Sequence, residues 1–232
     1  HSRPHRKYDK APVTPFNKFL HAVDYIARKA PFRTKNPAVS PAQVIKSDAR
    51  SMPIDSASID LIITSPPYLN AIDYIRGHKL SLVWMGQSID GLRKIRSSNI
   101  GAEHSLPTTE LAEFSTILPQ IGDITSLKPY YRNMIIRYLH DMGATIAECR
   151  RVLRDGGRAI FVIGNSAIHG IHIKNSEALT LLAQNRGFRM ESTTSRPIPE
   201  SRRYLPPPNS ESSGDRMKNR MREEVILTFA TA

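Results

Sequence analysis

Apolar and polar positions along the chain alternate with two different periods, and these divide it into helices and strands. From Tyr130 to Arg154 the residues Tyr131, Met134, Ile135, Tyr138, Leu139, Met142, Ile146, Cys149 and Val152 recur at helical spacing, and Gly156-Gly157 supplies a stop. Arg150, Arg151 and Arg154 suit the negative end of that helix. A second helix is expected from Pro15 to about Ala30, where Phe16, Phe19, Leu20, Val23 and Ile26 form a face that should pack on something. A third runs from Asn70 to Gly86 around Ile72, Ile75, Leu82 and Val83, weakened by Gly77, and a short one from Ser176 to Gln184 stops at Asn185-Arg186-Gly187.

Strands are expected at Ala42–Lys46 and Ile59–Thr64, both short and β-branched, and the second reads as a buried strand that must end at Pro66-Pro67. Arg158–Gly164 is apolar enough to be a central strand, while Phe188–Ser195 and Glu224–Ala230 close the chain. Residues 87–128 hold no sustained period and predict a mobile loop with short helical pieces. Strands alternating with helices and ending in a strand pair predict an α/β fold with a mostly parallel sheet and an antiparallel edge. The expected organisation is a basic linker and helix over residues 1–40, then one domain over 41–232 with 87–128 as an insertion.

Composition narrows the partners. The 232 residues are 40% hydrophobic, enough to bury one substantial core. Thirty-three Lys and Arg against 21 Asp and Glu leave a charge of +12, which favours a polyanion, with nucleic acid ahead of an acidic membrane surface. A single cysteine, Cys149, excludes an internal disulfide framework and a Cys-rich zinc module. It fits a reducing compartment, and without a long apolar run or a secretory leader pattern the expectation is a soluble, cytoplasmic protein. The chain opens on His1 rather than Met, which points to a processed or incomplete reading frame.

The informative string is Asp60-Leu61-Ile62-Ile63-Thr64-Ser65-Pro66-Pro67-Tyr68. It delivers a hydroxyl, two prolines and an aromatic ring to the carboxyl end of a strand, where ligands sit in α/β sheets. Ser65 offers a side-chain oxygen, and the carbonyl of Ser65 or Pro66 offers a second acceptor. Proline has fixed φ and no N–H, so the turn is stiff and its carbonyls are free to face a substrate. Tyr68 adds a stacking face. Pro-Pro-Tyr also occurs in Pro-rich ligands of WW domains, but those are disordered, whereas this one follows a strand.

Other residues carry open alternatives. Asp48 either caps its loop as an Asx turn or accepts from a ligand, and Asn165 either belongs to a turn or lines the same cleft. Asp60 reads as structural, pinning the entry of its strand. His169 and His172 lack carboxylate or thiolate support, so they read as polar loop residues and no metal is expected. Cys149 follows Glu148 inside an amphipathic helix, a poor setting for a nucleophilic thiolate. Arg93, Lys94, Arg96, Arg202, Arg203, Arg216, Lys218, Arg220 and Arg222 are candidate phosphate contacts or solvated charges.

Ser65-Pro66-Pro67-Tyr68 resembles the catalytic motif of the DNA amino-methyltransferases, in which Asp, Asn or Ser precedes Pro-Pro and an aromatic; the Ser form resembles the N4-cytosine branch. The similarity continues through Ser47–Pro53, Ser58-Ile59-Asp60, Leu69–Tyr74 and Arg151-Val152-Leu153 to Asn165-Ser166, covering roughly residues 41–85 and 130–232. It implies a class I S-adenosylmethionine-dependent methyltransferase sheet of Rossmann-like type, lacking its first strands in this chain and carrying a helical or loop insertion. It implies S-adenosylmethionine as cofactor, DNA as partner and a modification setting with a possible cognate restriction enzyme.

By the same resemblance Ser65, Pro66, Pro67 and Tyr68 are catalytic, Asp48 and Asn165 face the cofactor, and Asn70, Asp73, Tyr74, Arg202 and Arg203 face the substrate; Asp73 is equally explained by a helix dipole. The amine of a base is a poor nucleophile, because its lone pair is conjugated with the ring. Acceptors on its N–H groups and an in-line methyl donor would carry the transfer, on a base swung out of the duplex and without a covalent enzyme intermediate. The family's cofactor loop, an acidic-x-Phe-x-Gly-x-Gly sequence, does not occur in the chain, so an upstream segment or a partner chain is expected to supply it. Methylation of N6 of adenine, methylation of RNA and a non-catalytic nucleic-acid-binding fragment remain open beside N4-cytosine.

Overall fold

The computed structural model describes residues 15–29, 42–69, 74–100, 114–198 and 223–231. The chain divides into two compact units, His1–Lys46 and Ser47–Ala232. In the first, α1 (Pro15–Lys29) is amphipathic, with Phe16, Phe19, Leu20, Val23 and Ile26 on one face and an Asp24–Arg28 ion pair of 2.7 Å one turn apart. Residues 42–46 form no strand, contrary to expectation. A β-branched run becomes a strand only where another backbone satisfies its N–H and C=O groups, and among the described residues nothing pairs with it.

The second unit is built on a four-stranded sheet in the order β1-β2-β6-β5, comprising β1 (Ile59–Thr64), β2 (Leu153–Ile163), β5 (Phe188–Pro197) and β6 (Glu223–Thr231). β1 runs parallel to β2, and β6 is inserted antiparallel between β2 and β5. Helix α5 (Pro129–Val152) matches the predicted period, burying Ile135, Leu139, Met142, Ile146 and Cys149. Its end differs from the sequence reading, because Leu153 takes extended backbone and pairs with Ile59 of β1, so the strand ladder begins before the glycines. Helix α6 (Asn175–Gln184) buries Leu179, Leu182 and Ala183 in the same core.

Every second residue of β2 from Gly157 to Ile163 is buried, and Phe161 packs edge-on against Phe229 of β6 at 6.0 Å between ring centres. β1 corrects the sequence reading of a buried strand: it is the edge of the described sheet. Ile62 and Thr64 share the face of buried Ala159 and Phe161, whereas Leu61 and Ile63 turn to the other face and stay 47% and 68% exposed. Alternation in an apolar strand does not say whether its second face is covered.

Residues 87–128 are more ordered than expected where described. Helix α2 (Tyr74–Trp84) is followed by α3 (Ile89–Ser98), whose N-cap Ser88 accepts from the Gly91 N–H at 3.0 Å. Helix α4 (Leu118–Ile121) and a 3₁₀ turn (Ile124–Ser126) then bury Ile121 and Ile124. The segment read as a polar loop around His169 is a hairpin, β3 (Ser166–Ile168) and β4 (Ile171–Ile173), closed by His169 and Gly170 at φ 49° and 84°. Positive φ at both central residues is the two-residue turn whose twist matches its strands. No helix of the described residues is long and apolar enough to cross a membrane.

Candidate active site

The Ser65–Tyr68 loop leaves the carboxyl end of β1 beside the carboxyl end of its parallel neighbour β2. Pro66 is buried, Pro67 exposed, Tyr68 half-buried, and Leu69 (3% exposed) anchors the exit of the loop in the core. Fixed proline φ and two anchored flanks hold the turn without a helix or ladder through it. The exposed Ser65 hydroxyl donates to the Val162 carbonyl at 3.0 Å and lies 3.1 Å from the Tyr68 hydroxyl. Tyr68 donates to Oε1 of Glu224 at 3.0 Å. Arg196 holds the other Glu224 oxygen, with Nη2 at 2.7 Å and Nε at 2.9 Å. Burial first, then the Glu224 carboxylate, hold the Tyr68 phenol above the ordinary tyrosine range, so it is a neutral hydroxyl at physiological pH.

Glu224 and Arg196 were not legible as site residues. Glu224 lies near the start of an apolar strand and Arg196 near the end of a polar one, and only the β5–β6 register, which pairs these two positions, brings them to Tyr68.

Asp48 is engaged by its own loop. The Arg50 backbone N–H donates to Asp48 Oδ1 at 2.9 Å, an Asx turn, while Arg50 Nη2 reaches Oδ2 at 2.7 Å. These bonds hold the Asp48 carboxyl below the usual carboxylate range, and half of its side chain remains exposed. The same guanidinium reaches Asp141 on α5 at 2.8 Å, and Arg137 approaches that carboxylate at 3.1 Å. A second clamp sits lower on α5. Glu148 accepts from the Met52 N–H at 2.7 Å, and Arg151 donates to Glu148 and to the carbonyls of Met52 and Ile54. The loop that precedes β1 is thus fixed to α5 at two levels.

Asn165, at the end of β2, accepts at Oδ1 from the Ser176 N–H at 3.0 Å, serving the first turn of α6. Buried Asn175 donates to the Gly164 carbonyl at 2.9 Å. Asp60 pairs with Arg154 at 2.7 Å. Tyr74 begins α2, and Asn70, Asp73, Arg202, Arg203, Arg216, Lys218, Arg220 and Arg222 lie outside the described residues. Arg93 pairs with Asp90 at 3.0 Å on the surface of α3. The Cys149 thiol is buried, and burial, then the Glu148 charge, push it up to about 11. It is no thiolate near neutrality.

What the described residues assemble is a hydroxyl and an aromatic ring on a stiff turn beside a buried α/β core, with no activated thiol. No family model matches the chain. Over 150 residues it is 29% identical to the Type II methyltransferase M.AvaI of Nostoc sp., and to the protein of the same name from Anabaena variabilis at the same 29%. Each match takes in 57% of this chain and 31% of the relative, so the chain spans about a third of the length of the curated relatives it matches. In structure it is similar to a Thermus thermophilus protein assigned as a DNA modification methylase, at 16% identity and a TM-score of 0.39 over 80% of this chain and 52% of that one. The same protein complexed with S-adenosyl-L-methionine gives a TM-score of 0.38 at 16% identity, over 79% and 53%. By sequence, then, 150 residues are similar to part of two proteins named as Type II methyltransferases.

Proposed function

We propose that the protein transfers a methyl group from S-adenosylmethionine to an exocyclic amine of a DNA base, N4 of cytosine, as the modification enzyme of a restriction-modification pair. The observation that carries this is the Ser65–Tyr68 geometry: an exposed serine oxygen 3.1 Å from a tyrosine hydroxyl, on a diproline turn at the carboxyl end of β1. Sequence kinship with a type II methyltransferase and the +12 charge support it.

In this reading the base amine donates to Ser65 Oγ and to a carbonyl of the turn, while the ring of Tyr68 bears the swung-out base. Drawing both amine hydrogens toward acceptors lets the nitrogen leave the plane of the ring and recover its lone pair. The stiffness of the turn keeps this geometry, so orientation supplies most of the rate. The cofactor, when bound, supplies an electrophilic methyl group. Asp48 fits a contact to its adenine amine, because its side chain keeps half of its surface open. Asn165 is the second cofactor-side residue in this reading, and the unassigned polar residues Asn70, Asp73, Tyr74, Arg202 and Arg203 belong to the DNA side.

Nucleoside analysis of duplex DNA treated with the full-length protein and S-adenosylmethionine tests the proposal. N4-methylcytosine is the expected product. N6-methyladenine would move the protein to the other branch of the family, and methyl label found only on RNA would defeat the DNA assignment.

A further inference from the structure

The oxygens at the site form a row: the Val162 carbonyl, Ser65 Oγ, the Tyr68 hydroxyl and Glu224 Oε1, at successive separations of 3.0, 3.1 and 3.0 Å. Three contacts share two protons, since each hydroxyl carries one. Both ends of the row can only accept. A carbonyl has no proton, a glutamate is a carboxylate near neutrality, and Arg196 binds the other Glu224 oxygen. The two protons therefore point outward, Ser65 toward Val162 and Tyr68 toward Glu224. Any other order leaves a carboxylate or a carbonyl facing a bare oxygen. The middle contact, Ser65 to Tyr68, then has no proton of its own, and the Ser65 oxygen, at an exposed position, is open to an incoming donor.

We propose that Glu224, acting through Tyr68, is a positioning residue that keeps the Ser65 oxygen an acceptor, so that the site selects a substrate group bringing N–H donors and disfavours one bringing only acceptors. The inference rests on the amine-transfer reading above and sharpens it. An amino group placed against Ser65 supplies the proton that the row lacks, whereas the ring carbonyl of a base, presented at the same place, meets only lone pairs. Arg196 is the second member of the device, because it binds Oε2 and so fixes which Glu224 oxygen faces Tyr68. Glu224 touches no substrate atom in this scheme.

The test compares four forms of the full-length protein: parent, Glu224→Gln, Tyr68→Phe and the double variant. A glutamine amide can donate to the Tyr68 oxygen, which turns the tyrosine proton onto Ser65 and takes up one of its two lone pairs, in competition with the substrate amine. Glu224→Gln should lower kcat by about tenfold or more with KM little changed. Tyr68→Phe keeps the ring and removes the hydroxyl through which Glu224 acts, so whatever it costs by itself, it should make kcat insensitive to Glu224→Gln. The double variant should match Tyr68→Phe in kcat within about twofold, because without the hydroxyl Glu224 has nothing to act through. Losses that multiply, or an unaffected Glu224→Gln, would overturn the proposal.

A readout independent of turnover is the ultraviolet titration of Tyr68, isolated by difference from Tyr68→Phe. It should move to lower pH in Glu224→Gln, because the carboxylate that favours the protonated phenol is gone and Arg196 remains. An unmoved titration would overturn the proposal whatever the activity. A moved titration in a protein that methylates no nucleic acid would support the proton order and overturn only the amine-transfer reading.

Discussion

Arg50 binds Asp141 at 2.8 Å across 91 residues of sequence, joining the loop ahead of β1 and its diproline turn to the middle of α5. The Asp141 side chain is 2% exposed, while that of Asp48, held by the same guanidinium, is 50% exposed. The two ion pairs are therefore unequal. Removing one partner of a buried pair leaves a charge that water cannot reach, whereas a half-exposed carboxylate is resolvated at once.

Arg50→Met leaves Asp141 with Arg137 and is accordingly expected to destabilise the fold by about 2 kcal/mol, and Asp48→Asn by under about 1 kcal/mol. For a chain of this size the first corresponds to a thermal midpoint lower by roughly 6 °C. Thermal unfolding followed by circular dichroism checks the contrast, and equal losses would show that Asp141 does not depend on Arg50.

Glu148 makes the second clamp sensitive to acid. Hydrogen bonds from Arg151 first, and from the Met52 N–H, lower its carboxyl to about 2 from an ordinary value of 4.5. The folded state thus favours the ionised form. Its stabilisation is complete above the ordinary glutamate value and is lost as pH falls from there toward about 2. Protection of the Met52 amide, its hydrogen-exchange rate taken relative to that of an unstructured amide at the same pH, should fall through that window in the parent and be already low throughout it in Glu148→Ala. An amide protected equally at both ends of the window would contradict the assignment.

In the proposed mechanism Ser65→Ala removes one acceptor of the substrate amine while leaving the diproline turn and Tyr68 in place. One hydrogen bond realised in the transition state is worth about 1.5–3 kcal/mol, so kcat should fall by roughly 10–100-fold. DNA affinity, measured by fluorescence anisotropy, should change less than about twofold. Parallel loss of rate and affinity would argue that Ser65 holds the loop rather than the substrate.

Cys149 is 4% exposed, and its thiol is pushed up to about 11. Thiolate is the reactive species, so alkylation at neutral pH should be slow in the native protein and become fast on unfolding in urea. Methyl transfer should persist in Cys149→Ala apart from a loss of stability from the core. Abolished chemistry in a folded Cys149→Ala would demand a covalent mechanism that the site does not otherwise support.

The sequence by itself determined the elements with long or emphatic patterns. Nine apolar positions at helical spacing specified α5, and an apolar run ending in two prolines specified where β1 stops and which side chains follow it. The motif residues Ser65 and Tyr68 were readable because their chemistry is local: a hydroxyl, a stiff turn and a ring within four residues. The hairpin around His169 was missed because three-residue strands carry too little periodicity, although a two-residue His-Gly step between Ile168 and Ile171 was the available signal.

Only the tertiary structure decided how the site is wired. Period-two alternation fixes the two faces of β1 but not what lies on either, so the strand read as buried is an edge among the described residues. The Glu224–Tyr68 contact spans 156 residues and the Glu148–Met52 contact 96. Such pairs leave no local trace, because a surface glutamate and a glutamate aimed at a hydroxyl have the same neighbours in sequence. Strand register and helix packing, which are set by the whole core at once, turn one into the other.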